Sequence, residues 1–174
     1  MDEGSAPAKK MTSAEREELL RKCWMTHDAM WFFQALQECG IETTNKMNKA
    51  AVRSMAAIEV KRVAKALGIE KVQTFADLRR LIDGGSDLIK ARFMNFRISY
   101  PAEGVVRWEF DSCFAYDGVS RLGVIDRYEC GIFERPEGWF DALGLTYTVT
   151  PQVKGCMMHE QGHCFREFVF DIPS

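Results

Sequence analysis

Residues 94–111 read MNFRISYPAEGVVRWEFD, and their apolar side chains recur at every second position. Met94, Phe96, Ile98 and Tyr100 alternate with Asn95, Arg97 and Ser99; after the turn PAEG, Val106, Trp108 and Phe110 alternate with Arg107, Glu109 and Asp111. A period of two puts each set on its own side of a strand, so the stretch predicts an antiparallel hairpin with one buried face. The hairpin decides the fold class, because everything upstream of it follows the helical period instead.

Residues 1–11 read as a disordered leader. Thr12 with Glu15 makes a capping box, and an amphipathic helix should follow. Leu19, Leu20, Cys23, Trp24, His27, Met30 and Trp31 recur at spacings of three and four, which predicts one broad buried face ending before Gly40. Asn45 and Asn48 mark a loop giving way to a second helix with apolar positions at Ala51, Met55, Ile58, Val63, Ala66 and Leu67, stopped by Gly68. A short third helix starts near Thr74, with Asp77 as its capping partner, and runs through FADLRRLI. DGGSD at 83–87 reads as a turn or hinge.

Beyond the hairpin, SCFAYDGVSRLGV and RPEGWFDALGL predict short helices. LTYTVTPQV and CFREFVFDI predict two further strands, the last with Phe168, Phe170 and Ile172 on one face. The expected class is α+β, with N-terminal helices, then an antiparallel sheet with helical insertions. One domain should span 12–174, mainly helical over 12–82 and sheet-forming over 92–172.

At 174 residues and 47% hydrophobic, the chain is long enough for one sizeable core. Its opening residues carry no apolar signal segment, which places it in the cytoplasm. A formal charge of −2 gives no electrostatic reason to expect nucleic acid as a partner. Nor does any apolar run approach the ~20 residues that would span a membrane.

Six cysteines in a reducing compartment point to metal ligands, reactive thiols or buried apolar residues rather than disulfides. Cys113, Cys130, Cys156 and Cys164 crowd the second half. Three thiolates from Cys130, Cys156 and Cys164 would begin a tetrahedral zinc site, with Cys113, His159, His163 or a carboxylate as the fourth ligand. Iron suits the same thiolates. Between the last two cysteines, His159-Glu160-Gln161-Gly162-His163 matches the zinc-peptidase pattern H-E-x-x-H. That chemistry needs both histidines on one helix face and a third ligand beyond. No histidine follows, Gly162 suits a turn, and the period after Cys164 is two. A polar turn with two surface histidines is the favoured reading. A histidine that completes the cysteine site is the intermediate one.

CFAYDGVSRLGVIDRYEC and GCMMHEQGHCFREFVFDI together resemble the C-terminal half of the 2-amino-thiazoline-4-carboxylate hydrolase-like proteins. The same ending is similar to the 4-vinyl reductase domains, including sensor domains of aromatic-responsive bacterial regulators. WMTHDAMWFFQALQECGIETTNKMNKAAVRSMAAIEVKRVAKALGI resembles a bacterial family related to the hydrolase-like group. The likeness implies zinc at Cys130, Cys156 and Cys164 beside an apolar pocket for a small ligand. It departs at Val153, where the sensor-type sites carry a glutamate.

In the N-terminal half, His27 and Asp28 lie between Trp24 and Trp31. An imidazole near a carboxylate can be held in one tautomer, so His27, Asp28 and Glu59 are candidate acid, base or supporting groups. The plainer alternatives are a satisfied core histidine and an i,i+3 ion pair of Glu59 with Arg62. Trp24, Trp31, Phe96 and Trp108 would line any cavity, and an apolar, aromatic or heterocyclic ligand would fit it. The favoured expectation is a small-molecule-binding domain with a cysteine-held zinc. The alternatives are a metal-dependent hydrolase of a small heterocyclic or amide substrate, and a structural subunit without metal. A homodimer through the first helix is expected from its aromatic content.

Overall fold

The computed structural model describes residues 9–173, so most of the leader expected over 1–11 lies outside the described residues. The chain is α+β. A long α1 (Ser13–Ala66) is followed by α2 (Phe75–Ile89), β1 (Phe96–Ala102) and β2 (Val105–Phe110). Then come α3 (Phe114–Arg121), a 3₁₀ turn (Ile125–Arg127), α4 (Glu134–Ala142), β3 (Tyr147–Thr150), α5 (Met157–Gln161) and β4 (Cys164–Phe170). The four strands form one antiparallel sheet in the order β1-β2-β4-β3. The β1–β2 hairpin has the expected register, with Phe96 opposite Phe110 and Ile98 opposite Trp108.

Both expected capping boxes form: Thr12 with Glu15 opens α1, and Thr74 with Asp77 opens α2. The helix does end near Gly40, whose φ of 71° and ψ of 168° are open only to glycine. There α1 reverses direction. Trp24 stacks on the Arg135 guanidinium at 4.8 Å, and Glu59 pairs with the same guanidinium. A continuous helix would hold residues 24 and 59 about 50 Å apart. The limbs 13–39 and 41–66 are therefore the two sides of an antiparallel helical hairpin.

Several expectations are corrected. No loop surrounds Asn45 and Asn48; the 41–66 limb is helical throughout, and Asn45 is buried. DGGSD is not a hinge, because α2 runs through Gly84 and Gly85 to Ile89. A Cβ on Gly85 would stand 2.1 Å from the Trp139 ring, and one on Gly84 would stand 2.7 Å from Leu67. At Gly85 the Trp139 ring leaves no room for a side chain, whereas at Gly84 the contact is the tip of the flexible, exposed Leu67 side chain. Finally, the apolar face of the first helix is not buried: Leu20 is 69% exposed and Trp31 66%.

The core lies between one sheet face, α2, α4 and the 41–66 limb. Ala56, Val60 and Val63 form the inward stripe of that limb, while Ile58, expected inside, is exposed. The limb meets α4 closely, for a Cβ on Gly138 would lie 2.9 Å from that of Ala56. Val106, Trp108 and Phe110 of β2 and Phe168 and Phe170 of β4 fill the centre with the rings of Phe133, Phe140 and Tyr147. Full burial of one such ring contributes roughly 1.5–3 kcal/mol. Ile172 packs against this core just beyond the end of β4.

Candidate metal centre

At one end of the sheet, Cys113, Cys130, Cys156 and Cys164 line the same enclosed cavity of about 10 Å³. Each arrives from a different segment. Cys113 and Cys156 are the residues at which α3 and α5 begin, and neither caps its helix through the side chain. Cys164 opens β4 opposite Phe110. Cys130 follows a segment fixed from α1: the Asn45 amide donates to the Arg127 carbonyl at 2.8 Å and accepts from the Glu129 N–H at 3.2 Å. Lys49 holds Glu129 by an ion pair beside it.

All four cysteines are free thiols. Burial pushes the Cys130 thiol up to about 11 and Cys164 up to about 12, and raises Cys113 as well. Neighbouring thiols add to the rise at each, and the Arg166 cation opposes it at Cys130 and Cys164. At neutral pH these groups hold their protons unless a cation displaces them.

Arg166 is the unexpected member of the site. It is 5% exposed and lines the same cavity. Its Nη1 donates to the Phe165 carbonyl at 2.8 Å and to the Met157 sulfur at 3.5 Å, and the Phe133 ring lies 4.8 Å from its guanidinium carbon. No Asp or Glu pairs with it among the described residues. A buried charge without a partner costs several kcal/mol, and the groups nearest to supplying an anion are the thiols. The sequence carried a signal for it. Cys164, Arg166, Phe168 and Phe170 share one face of β4, so the arginine falls in register with core residues.

The donor set fits a thiophilic metal. Zinc takes four thiolates at ~2.3 Å in a tetrahedral shell, and the four cysteines that line this small cavity supply the donor type for it. As placed, no three His, Cys, Asp or Glu side chains among the described residues stand as a ready ligand group. The thiols ring the space without having closed on it.

The histidine motif does not build a peptidase helix. α5 is a single turn, and Gly162 ends it at φ 73°, so His163 falls outside the helix that carries His159. His159 Nε2 lies 2.9 Å from an Asp126 carboxylate oxygen, and His163 Nδ1 lies 3.1 Å from the Gln161 carbonyl. Both imidazoles are on the surface, and neither lines the thiol cavity.

His27, Asp28 and Glu59 share no hydrogen bond among the described residues, although the Arg135 charge acts on both carboxylates. His27 accepts through Nε2 from the Trp31 indole N–H at 3.1 Å, on the outside of the hairpin. Desolvation raises the Asp28 carboxyl, with the Arg135 and His27 charges acting against it. Glu59 pairs with Arg135 rather than with Arg62, and it accepts from the Trp139 indole at 3.0 Å. The four aromatic residues named for a pocket are also divided: Trp24 and Trp31 lie on the 13–39 limb, while Phe96 and Trp108 belong to the sheet. A second, open depression of about 320 Å³ lies between the start of α1 and residues 90–94, lined by Glu17, Glu18, Arg21, Lys90 and Arg92.

A helical hairpin joined to an antiparallel sheet, with a thiol-lined cavity at the sheet's end, defines a cysteine-rich α+β domain. A family model described as a family of unknown function (DUF6125) matches residues 13–99, half of the chain, and the chain belongs to that family. The matched part holds the hairpin, α2 and the start of β1, and it stops before the first cysteine of the cavity. No curated protein and no solved structure matches the chain. No helix among the described residues is long and apolar enough to cross a membrane.

Proposed function

We propose that this chain is a cytoplasmic small-molecule-binding domain organised around a zinc ion held by Cys113, Cys130, Cys156 and Cys164. The observation that carries the metal is that four thiols and one buried arginine without an acidic partner line the same small cavity. Four thiolates on a divalent ion leave a net charge of −2, and Arg166 stands where it offsets part of it. Thiolate formation would thus relieve the two unfavourable features of the site together, the elevated thiols and the isolated cation. The metal, when bound, supplies a cross-link between the start of α3, the 128–133 segment, α5 and β4. A shell closed by four sulfurs leaves no coordination position for water, which favours a structural ion over the hydrolase alternative. The small-molecule part is supported by the likeness of residues 113–130 and 155–172 to the 2-amino-thiazoline-4-carboxylate hydrolase-like proteins, and of the ending to the 4-vinyl reductase-type sensor domains.

Elemental analysis of tag-free protein tests the metal. About one zinc per chain is expected, lost in Cys113→Ser and Cys156→Ser and kept in His159→Ala. Metal-free wild type would overturn the proposal. Loss of metal in His159→Ala would replace it with an open site of the hydrolase kind.

A further inference from the structure

The 13–39 limb leaves an apolar band facing away from the protein. Glu18, Arg21, Met25, Phe32 and Leu36 point inward and are partly covered. Arg21 donates to the Asp87 and Leu88 carbonyls, and Phe32 meets the Tyr128 ring. The opposite face carries Leu20, Cys23, His27, Met30 and Trp31 in the open, and no residue of this limb is buried among the described residues. An uncovered apolar band on a monomer marks an interaction surface.

Its occupant is written in the charges at the ends of the band. At 100° per residue, Arg16 and Glu38 lie on the same outward line as His27, eleven positions before and eleven after it. Neither has an ion-pair partner among the described residues. We propose that this face pairs antiparallel with the same face of a second copy of the chain, with the two-fold axis at His27. Arg16 then meets the partner's Glu38 at both ends of a contact about 33 Å long. Cys23 meets the partner's Trp31 on either side of the axis. An isologous pairing of this kind uses one patch twice, which a pattern balanced about its own midpoint satisfies. The dimer does not rest on the metal.

Sedimentation velocity over a concentration series of the full chain tests it. Wild type should sediment as a dimer. Leu20→Glu combined with Trp31→Glu should give a monomer with an unchanged far-ultraviolet circular dichroism spectrum and a thermal midpoint that no longer rises with protein concentration, because both side chains face solvent in the monomer. Arg16→Glu should weaken the dimer at least about tenfold, a loss of ~1.4 kcal/mol. Adding Glu38→Arg should restore it. A monomeric wild type would overturn the pairing, and so would a dimer insensitive to the Leu20/Trp31 pair. A monomer that floats with phosphatidylglycerol-containing vesicles would assign the band to lipid and overturn it too. A double charge exchange that fails to restore association would refute the antiparallel register.

Discussion

Replacing Glu59 by alanine separates a structural carboxylate from a catalytic one. Its side chain is 11% exposed, and that of Arg135, its partner, is 16% exposed. The carboxylate takes two hydrogen bonds from the guanidinium and a third from the Trp139 indole at 3.0 Å. Glu59→Ala leaves Arg135 and the indole N–H without an acceptor, in a place water scarcely reaches. Breaking a buried pair in this way costs about 3–5 kcal/mol. With an m-value of ~2 kcal/mol/M, the urea midpoint should fall by roughly 1.5–2.5 M. A double-mutant cycle with Arg135→Met should return a coupling of about 2 kcal/mol, since removing both charges relieves the stranded cation. A loss below ~1 kcal/mol with no coupling would refute the reasoning and reopen a catalytic role for Glu59.

Two further outcomes follow from particular residues. Gly40→Ala forces a side chain into φ 71°, ψ 168°, and should lower stability by about 1–3 kcal/mol in urea titrations while loosening the hairpin. The pH dependence of the metal-free protein reads out the thiols. Burial lifts Cys130 to about 11 and Cys164 to about 12 from an ordinary 9.0, so the unfolded chain releases these protons first. Stability is then complete below pH 9 and falls as pH rises through 11 to 12. Urea titrations from pH 8 upward should show this decline in metal-free protein, with a smaller one after zinc loading. A flat profile would place the thiols in water.

The strand pattern was legible because each sheet residue has one face to choose, and β1, β2 and β4 alternate cleanly. Helix starts were legible for a local reason: Thr12 and Thr74 carry their capping partners three residues on. What failed depends on neighbours distant along the chain. Gly84 and Gly85 look like a break until Leu67 and Trp139 are seen to need the space. Asn45 looks like a loop residue until its amide is seen holding Arg127 and Glu129. The stripe of the first helix reads as a buried face, yet Leu20, Met30 and Trp31 are exposed and Met25, Phe32 and Leu36 turn inward instead. For the site, the sequence offers four cysteines at wide spacing, and only the fold gathers them around one cavity. Arg166 escaped notice because an arginine in a strand ordinarily faces water.

The place of β4 in the sheet imposes an order on synthesis. It lies between β2 and β3 yet follows both along the chain, so neither acquires its central partner until residues 164–170 have left the ribosome. At roughly 5–20 residues per second, β2 waits several seconds with one hydrogen-bonding edge open. Cys113 and Cys130 emerge during the same interval, before the strand that brings Cys164 and Arg166 to them. The nascent chain is therefore most open to chaperones, oxidants and stray metal just before its sheet closes, and one short strand ends all three exposures together.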